Sequence, residues 1–143
     1  MSLLSELKAG DSLPELEKTV TQQDINLYAE ASRDYNPIHI DPEFAGKLPL
    51  GGTIAHGMLV LAYVSQMLTE TFGIRWLTGG RLEVRFKVPA RPGDTLTVSG
   101  KVIGIADNGG EDWLKLDVDC RNQAGEAVIA GEASVKMANG ENS

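Results

Sequence analysis

The sequence predicts an α+β domain in which a curved antiparallel sheet wraps one long apolar helix. Three observations carry this. The stretch from Ile54 to Thr71 is apolar on nearly all sides, with no charge between Lys47 and Glu70, so it must be buried on most faces. The segments after it alternate apolar and polar residues with period two, the mark of strands buried on one face. Short turns join those segments directly, which suits antiparallel neighbours.

The elements follow in order. Leu7 to Val20 holds a short strand after a turn at Gly10-Asp11, and Pro14 confines it to a sheet edge. Thr21 caps a helix with Asp24 in its first turn, and Ile25, Tyr28, Ala29 and Ser32 mark one face of it. Pro37 pushes Asn36 away from helical geometry, so the helix stops near Asp34. Asp41 and Pro42 open a short helix, as cap and first residue, and a loop with Pro49, Gly51 and Gly52 follows. The apolar helix runs from about Ile54 to Thr71 and ends at Gly73.

The wrapping strands come next. In Arg81 to Val88, Leu82, Val84, Phe86 and Val88 share one face, and Arg81, Glu83, Arg85 and Lys87 the other. Arg91-Pro92-Gly93-Asp94 turns the chain into a strand from Thr95 to Ile105. After a turn at residues 107–110, Leu114, Leu116, Val118 and Cys120 alternate with charged residues. After a turn at 122–125, Ile129, Ala133, Val135 and Met137 form the inner face of a last strand, and the tail from Ala138 is expected to fray.

Candidate chemistry lies in the turn after the first helix. Asp34 and His39 are five positions apart. A straight helix would point them apart, and an extended strand would put them on opposite faces. A bend at Asn36-Pro37 can aim both at one point. Taken singly, an Asp-x-Asn-Pro is a turn and a lone histidine is structural. The combination, with a buried helix beginning soon after, carries the reading.

Length and composition narrow the classes. A chain of 143 residues is read as one domain, residues 1–143, long enough for a real core. The net charge of −7 argues against nucleic acid or an anionic membrane as partner. One cysteine, Cys120, allows no internal disulfide and fits a reducing compartment. The N-terminal Met1-Ser2-Leu3-Leu4-Ser5-Glu6-Leu7-Lys8 is too short and too charged for a signal peptide. The longest apolar run is interrupted by His56, Ser65 and Gln66 and falls short of the ~20 residues of a membrane span. A soluble, cytoplasmic protein is expected. His39 and His56 lack zinc-site spacing and cysteine partners, and there is no Gly-rich phosphate loop, so no metal or cofactor is expected.

Tyr28, Ser32, Asp34, Asn36, Pro37, Ile38, His39, Asp41 and Ala45, followed by Ala55-His56-Gly57-Met58-Leu59 and by Phe86 to Leu96, form a pattern. It resembles the MaoC-like (R)-specific enoyl-CoA hydratases and dehydratases over nearly the whole chain. One departure is Arg33, where that family is expected to carry a small residue, often glycine. The resemblance implies a hot-dog fold and a homodimer with its pocket near the subunit interface. It implies water addition across a trans-2-enoyl thioester to give an (R)-3-hydroxyacyl thioester, or the reverse. The acyl carrier would be CoA, as part of the substrate, or a carrier protein.

That reaction needs a polarised water, a proton for the α-carbon and a stabilised thioester oxygen. Asp34, as principal base, and His39, orienting the water and relaying the proton, meet the first two by holding one water between them, and the sequence leaves the exchanged roles open. A carboxylate in an apolar pocket holds its proton more readily, which suits proton transfer. By resemblance the Gly57 amide receives the thioester oxygen, since N–H groups at a helix N-terminus lack intrahelical partners. Close packing alone would also explain that glycine. The resemblance also implies that Asn36 supports the turn and that Ser65 helps hold the carboxylate, while His56 is expected to order the loop. A serine bonding its own helix backbone is the alternative for Ser65. Arg81, Arg85, Lys87 and Arg91 are the cations available for CoA phosphates, although a solvated strand face explains the same run.

Two other functions compete. Hot-dog thioesterases commonly carry an acidic residue on the central helix, and here that helix has no carboxylate before Glu70. A catalytically silent acyl-binding subunit of a dehydratase is the other, against which the intact Asp34 and His39 stand.

Overall fold

The computed structural model describes residues 6–137, and the expected frayed tail from Ala138 lies outside them, as do the first five residues. The elements are β1 (Leu16–Thr19), α1 (Gln22–Ser32), α2 (Pro37–Ile40), α3 (Pro42–Gly46), α4 (Gly57–Phe72), α5 (Ile74–Gly79), β2 (Gly80–Phe86), β3 (Thr95–Asn108), β4 (Glu111–Arg121) and β5 (Ala127–Lys136).

The strands form one sheet in the order β1-β3-β4-β5-β2, and every neighbouring pair is antiparallel. Short β1 is one edge, just past Pro14, as the proline requires. β2 is the other edge. α4 lies on the sheet's inner face. Its Val60, Val64, Met67 and Leu68 share one buried cluster with Leu96 and Val98 of β3 and Leu116 of β4. Burial of this apolar surface, at roughly 25 cal/mol per Å², is what fixes helix and sheet together.

The capping expectations hold. Thr21 Oγ1 accepts from the Asp24 N–H at 3.0 Å, and Asp41 accepts from Glu43 and Phe44, with Pro42 opening α3. Three features were not expected. Pro37–Ile40 forms a single helical turn rather than a plain bend. Gly73, at φ 59°, ends α4 and turns the chain at once into α5, whose Trp76 is buried. Finally, Phe86 lies on the inner face of β2 yet is 53 % exposed, because β2 is an edge and its end reaches only the first turn of α4.

No helix among the described residues is long and apolar enough to cross a membrane.

Candidate active site

The site begins where α1 ends. Arg33 closes the helix in the left-handed region, φ 61° and ψ 26°, and among the described residues it alone has positive φ without being glycine. This turn throws the chain back across the helix end. The Ser32 hydroxyl donates to the Tyr28 carbonyl at 2.7 Å and accepts from the Asp34 N–H at 3.3 Å. Asp34 Oδ1 accepts from the Asn36 N–H at 3.3 Å, and Asn36 Oδ1 accepts from Ile38 N–H at 3.1 Å, capping α2. Asn36 thus stands at the corner of the bend. The one-turn helix carries His39 back towards Asp34.

The outcome is a tight cluster. One ligating atom each from Asp34, His39 and His56 lies within 4.8 Å of the other two. His39 and His56 are buried, while Asp34 is exposed in the single chain. The apolar surroundings expected for the carboxylate are therefore not supplied by this chain alone.

Hydrogen bonds to carbonyls decide where the ring protons sit. His39 Nδ1 lies 2.8 Å from the Ile54 carbonyl, which can only accept, so Nδ1 carries the proton and Nε2 is left as the acceptor. His56 Nε2 lies 3.0 Å from the Asp34 carbonyl, so its proton is on Nε2. The two rings are stacked, centroids 3.8 Å apart and 22° from parallel. Tyr28 meets His56 edge-on, at 4.9 Å between centroids. Three ligating groups at this spacing resemble a metal set.

Behind His39 lies a support that the sequence did not reveal. Gln22 Nε2 donates to the His39 carbonyl at 2.8 Å, and Gln22 Oε1 accepts from the buried Thr53 hydroxyl at 2.7 Å. The Ile54 N–H donates to the Ile38 carbonyl at 3.0 Å. These bonds fasten α1, α2 and the approach to α4 to one another. Nothing local to Gln22 or Thr53 signals this, since their partners are distant in sequence.

Gly57 is the first residue of α4, directly after His56. Its amide has no intrahelical acceptor at that position. It lines a groove of about 200 Å³ with Ile54, Phe86 and Lys87. A Cβ on Gly57 would stand 3.0 Å from the Phe86 ring.

Other expected residues are placed elsewhere. Ser65 does not hold the carboxylate: its Oγ accepts from the buried Trp76 indole N–H at 3.0 Å, well over a helical turn beyond Gly57. Nor does it bond its own helix backbone through the hydroxyl; Thr69 does that, donating to the Ser65 carbonyl at 2.8 Å. The four cations do not gather at one point. Arg81 lies on the Trp113 ring at 4.4 Å, while Lys87 lines the Gly57 groove, six strand positions or roughly 20 Å away. Arg85 is exposed on the outer face, and the Arg91 guanidinium lies close to Gly52, 3.9 Å from where a Cβ there would be.

The MaoC like domain family matches residues 8–117, which include every element from β1 to the start of the Asp34 turn, the whole cluster and α4. The chain belongs to the MaoC-like family. Its relatives include an (R)-specific enoyl-CoA hydratase of Rhodospirillum rubrum, 35% identical, with 92% of this chain aligned to 89% of that protein. A 3-hydroxyacyl-thioester dehydratase Z of Mycobacterium tuberculosis is 34% identical over 78% of this chain and 79% of that one. Among solved structures, the R-hydratase PhaJ1 of Pseudomonas aeruginosa superposes with a TM-score of 0.78 at 29% identity, covering 92% of this chain and 82% of that one. The (R)-hydratase of A. caviae does so with 0.77 at 28%, covering 92% and 98%. The MaoC-like chain therefore has the hot-dog fold that its residue pattern implied.

Proposed function

We propose that this MaoC-like protein is a hydro-lyase that adds water to trans-2-enoyl-CoA to give (R)-3-hydroxyacyl-CoA, or removes it, through Asp34 and His39. The observation that carries the reading is the approach of the Asp34 carboxylate to the imidazoles within 4.8 Å, across a bend that no regular element would make. The hydratase and dehydratase relatives support the reaction class.

In the hydration direction a water sits between the Asp34 carboxylate and His39 Nε2. Its oxygen bonds to the β-carbon as its proton passes to Asp34, the principal base, with His39 orienting the water. The π-electrons move towards the α-carbon and the thioester oxygen, and a proton relayed through the pair completes the α-carbon. The Gly57 amide, at the positive end of α4, receives the oxygen while it is electron-rich. Such a donor is worth about 10²–10³ in rate.

The same reading takes the chain as one domain that works as a homodimer in a reducing compartment. Three large apolar side chains around the site are open to solvent: Tyr35 at 53 %, Met58 at 58 % and Phe86 at 53 %. A second copy over them would supply the cover that Asp34 lacks.

The test is a panel of enoyl-CoAs of graded acyl length, followed by loss of the conjugated double-bond absorbance, with product stereochemistry determined. (R)-3-hydroxyacyl products support the proposal. Free thiol release without loss of that absorbance would instead identify a thioesterase.

A further inference from the structure

His56 touches both members of the proposed pair. Its Nε2–H holds the backbone carbonyl of Asp34 at 3.0 Å. Its ring lies flat on His39, centroids 3.8 Å apart, and Tyr28 braces it edge-on. The residue is 3 % exposed, and its Nδ1 is buried without a hydrogen-bond partner. Leaving a buried polar atom unpaired is unfavourable by about 1–3 kcal/mol. A phenyl ring would fill the same space without that cost, so space-filling alone does not account for an imidazole here.

We propose that His56 is a positioning residue that locks Asp34 and His39 into one unit. This rests on the Asp34–His39 reading above. The hydrogen bond fixes the peptide from which the Asp34 carboxylate swings. The stack fixes the plane of the His39 ring, and the Ile54 carbonyl fixes its rotation through Nδ1–H. With plane and rotation both set, His39 Nε2 has one direction. The groups facing His56 are Asp34, His39 and Tyr28.

Two measurements on the full chain test this. The first is ¹⁵N NMR of the imidazoles, which should show His56 as the Nε2–H tautomer and His39 as the Nδ1–H tautomer. The second is hydration of crotonyl-CoA by two variants. His56→Phe keeps a ring and loses the donor; His56→Gln keeps a donor of similar reach and loses the ring. In each, kcat should fall about tenfold or more while KM changes by less than about twofold. In an Asp34→Asn background, His56→Phe should cost little more, because the two act as a unit. A His56 proton on Nδ1, or a kcat within about twofold of wild type in a folded variant, overturns the proposal. If the two variants differ in folding, the folded one decides. If wild type hydrates no enoyl thioester, the functional reading fails, while the tautomer measurement still decides whether His56 holds Asp34.

Discussion

The Phe86 ring, at the end of the edge strand β2, stands where a side chain on Gly57 would begin: its Cε1 is 3.0 Å from an ideal Cβ there. Gly57→Ala therefore forces Phe86 to move. In the single chain Phe86 is half-exposed and has room to swing, so the change in the chain's own stability should be small, within about 1 kcal/mol, the more so as alanine favours helix. Activity should suffer more, because the methyl group occupies the approach to the Gly57 amide. We expect kcat to fall by about 10²-fold or more, with an urea midpoint close to wild type.

Asp34→Asn should remove most of the activity, by about 10²-fold at least. The fold should survive, because Asp34 is exposed and its bond to the Asn36 N–H can be kept by an amide oxygen. Steady-state kinetics beside a circular-dichroism melt checks both halves. Retained activity in a folded variant would take Asp34 out of the mechanism.

Arg33→Gly should stabilise the chain. At φ 61° an L-residue carries a penalty of roughly 1–2 kcal/mol that glycine escapes, against roughly 0.5–1 kcal/mol of extra unfolded-state entropy. The net gain expected is about 0.5–1 kcal/mol, seen as a rise of a few degrees in Tm. An unchanged or lower Tm would mean that the Arg33 side chain contributes contacts that offset the strain.

Ser65→Ala should act on stability. It removes the acceptor of the buried Trp76 indole N–H, at a cost of about 1–3 kcal/mol. Denaturant unfolding measures this directly. An unchanged midpoint would show that Trp76 finds another acceptor.

Cys120 sets an expected response to alkali. Burial, and then the neighbouring Asp119 charge, push its thiol up to about 12 from an ordinary 9.0. Above pH 9 the unfolded chain loses this proton while the folded chain keeps it, so stability falls as pH rises from about 9 to 12, by no more than ~1.4 kcal/mol per pH unit from this group. Cys120→Ala should flatten that part of the profile. The native thiol should also resist alkylation at neutral pH until the chain unfolds.

Much of this was legible from the chain itself. Periods of two and of 3.6, the cap at Thr21, the Asp41-Pro42 start and the stop at Gly73 are local signals, set by backbone geometry and by which residues shun water. They were enough to specify a sheet wrapped round a helix, and the Asp34 to His39 spacing was enough to demand a bend. Tertiary structure decided what the bend consists of and who serves it. The stacked pair of imidazoles and the bonds that anchor the bend depend on groups far apart in sequence: His39 bonds to Ile54, His56 to Asp34, and Gln22 to Thr53. Ser65 turned from the carboxylate to Trp76 for the same reason, because a side chain on a buried helix finds its partner through packing, and packing is not written in neighbouring residues.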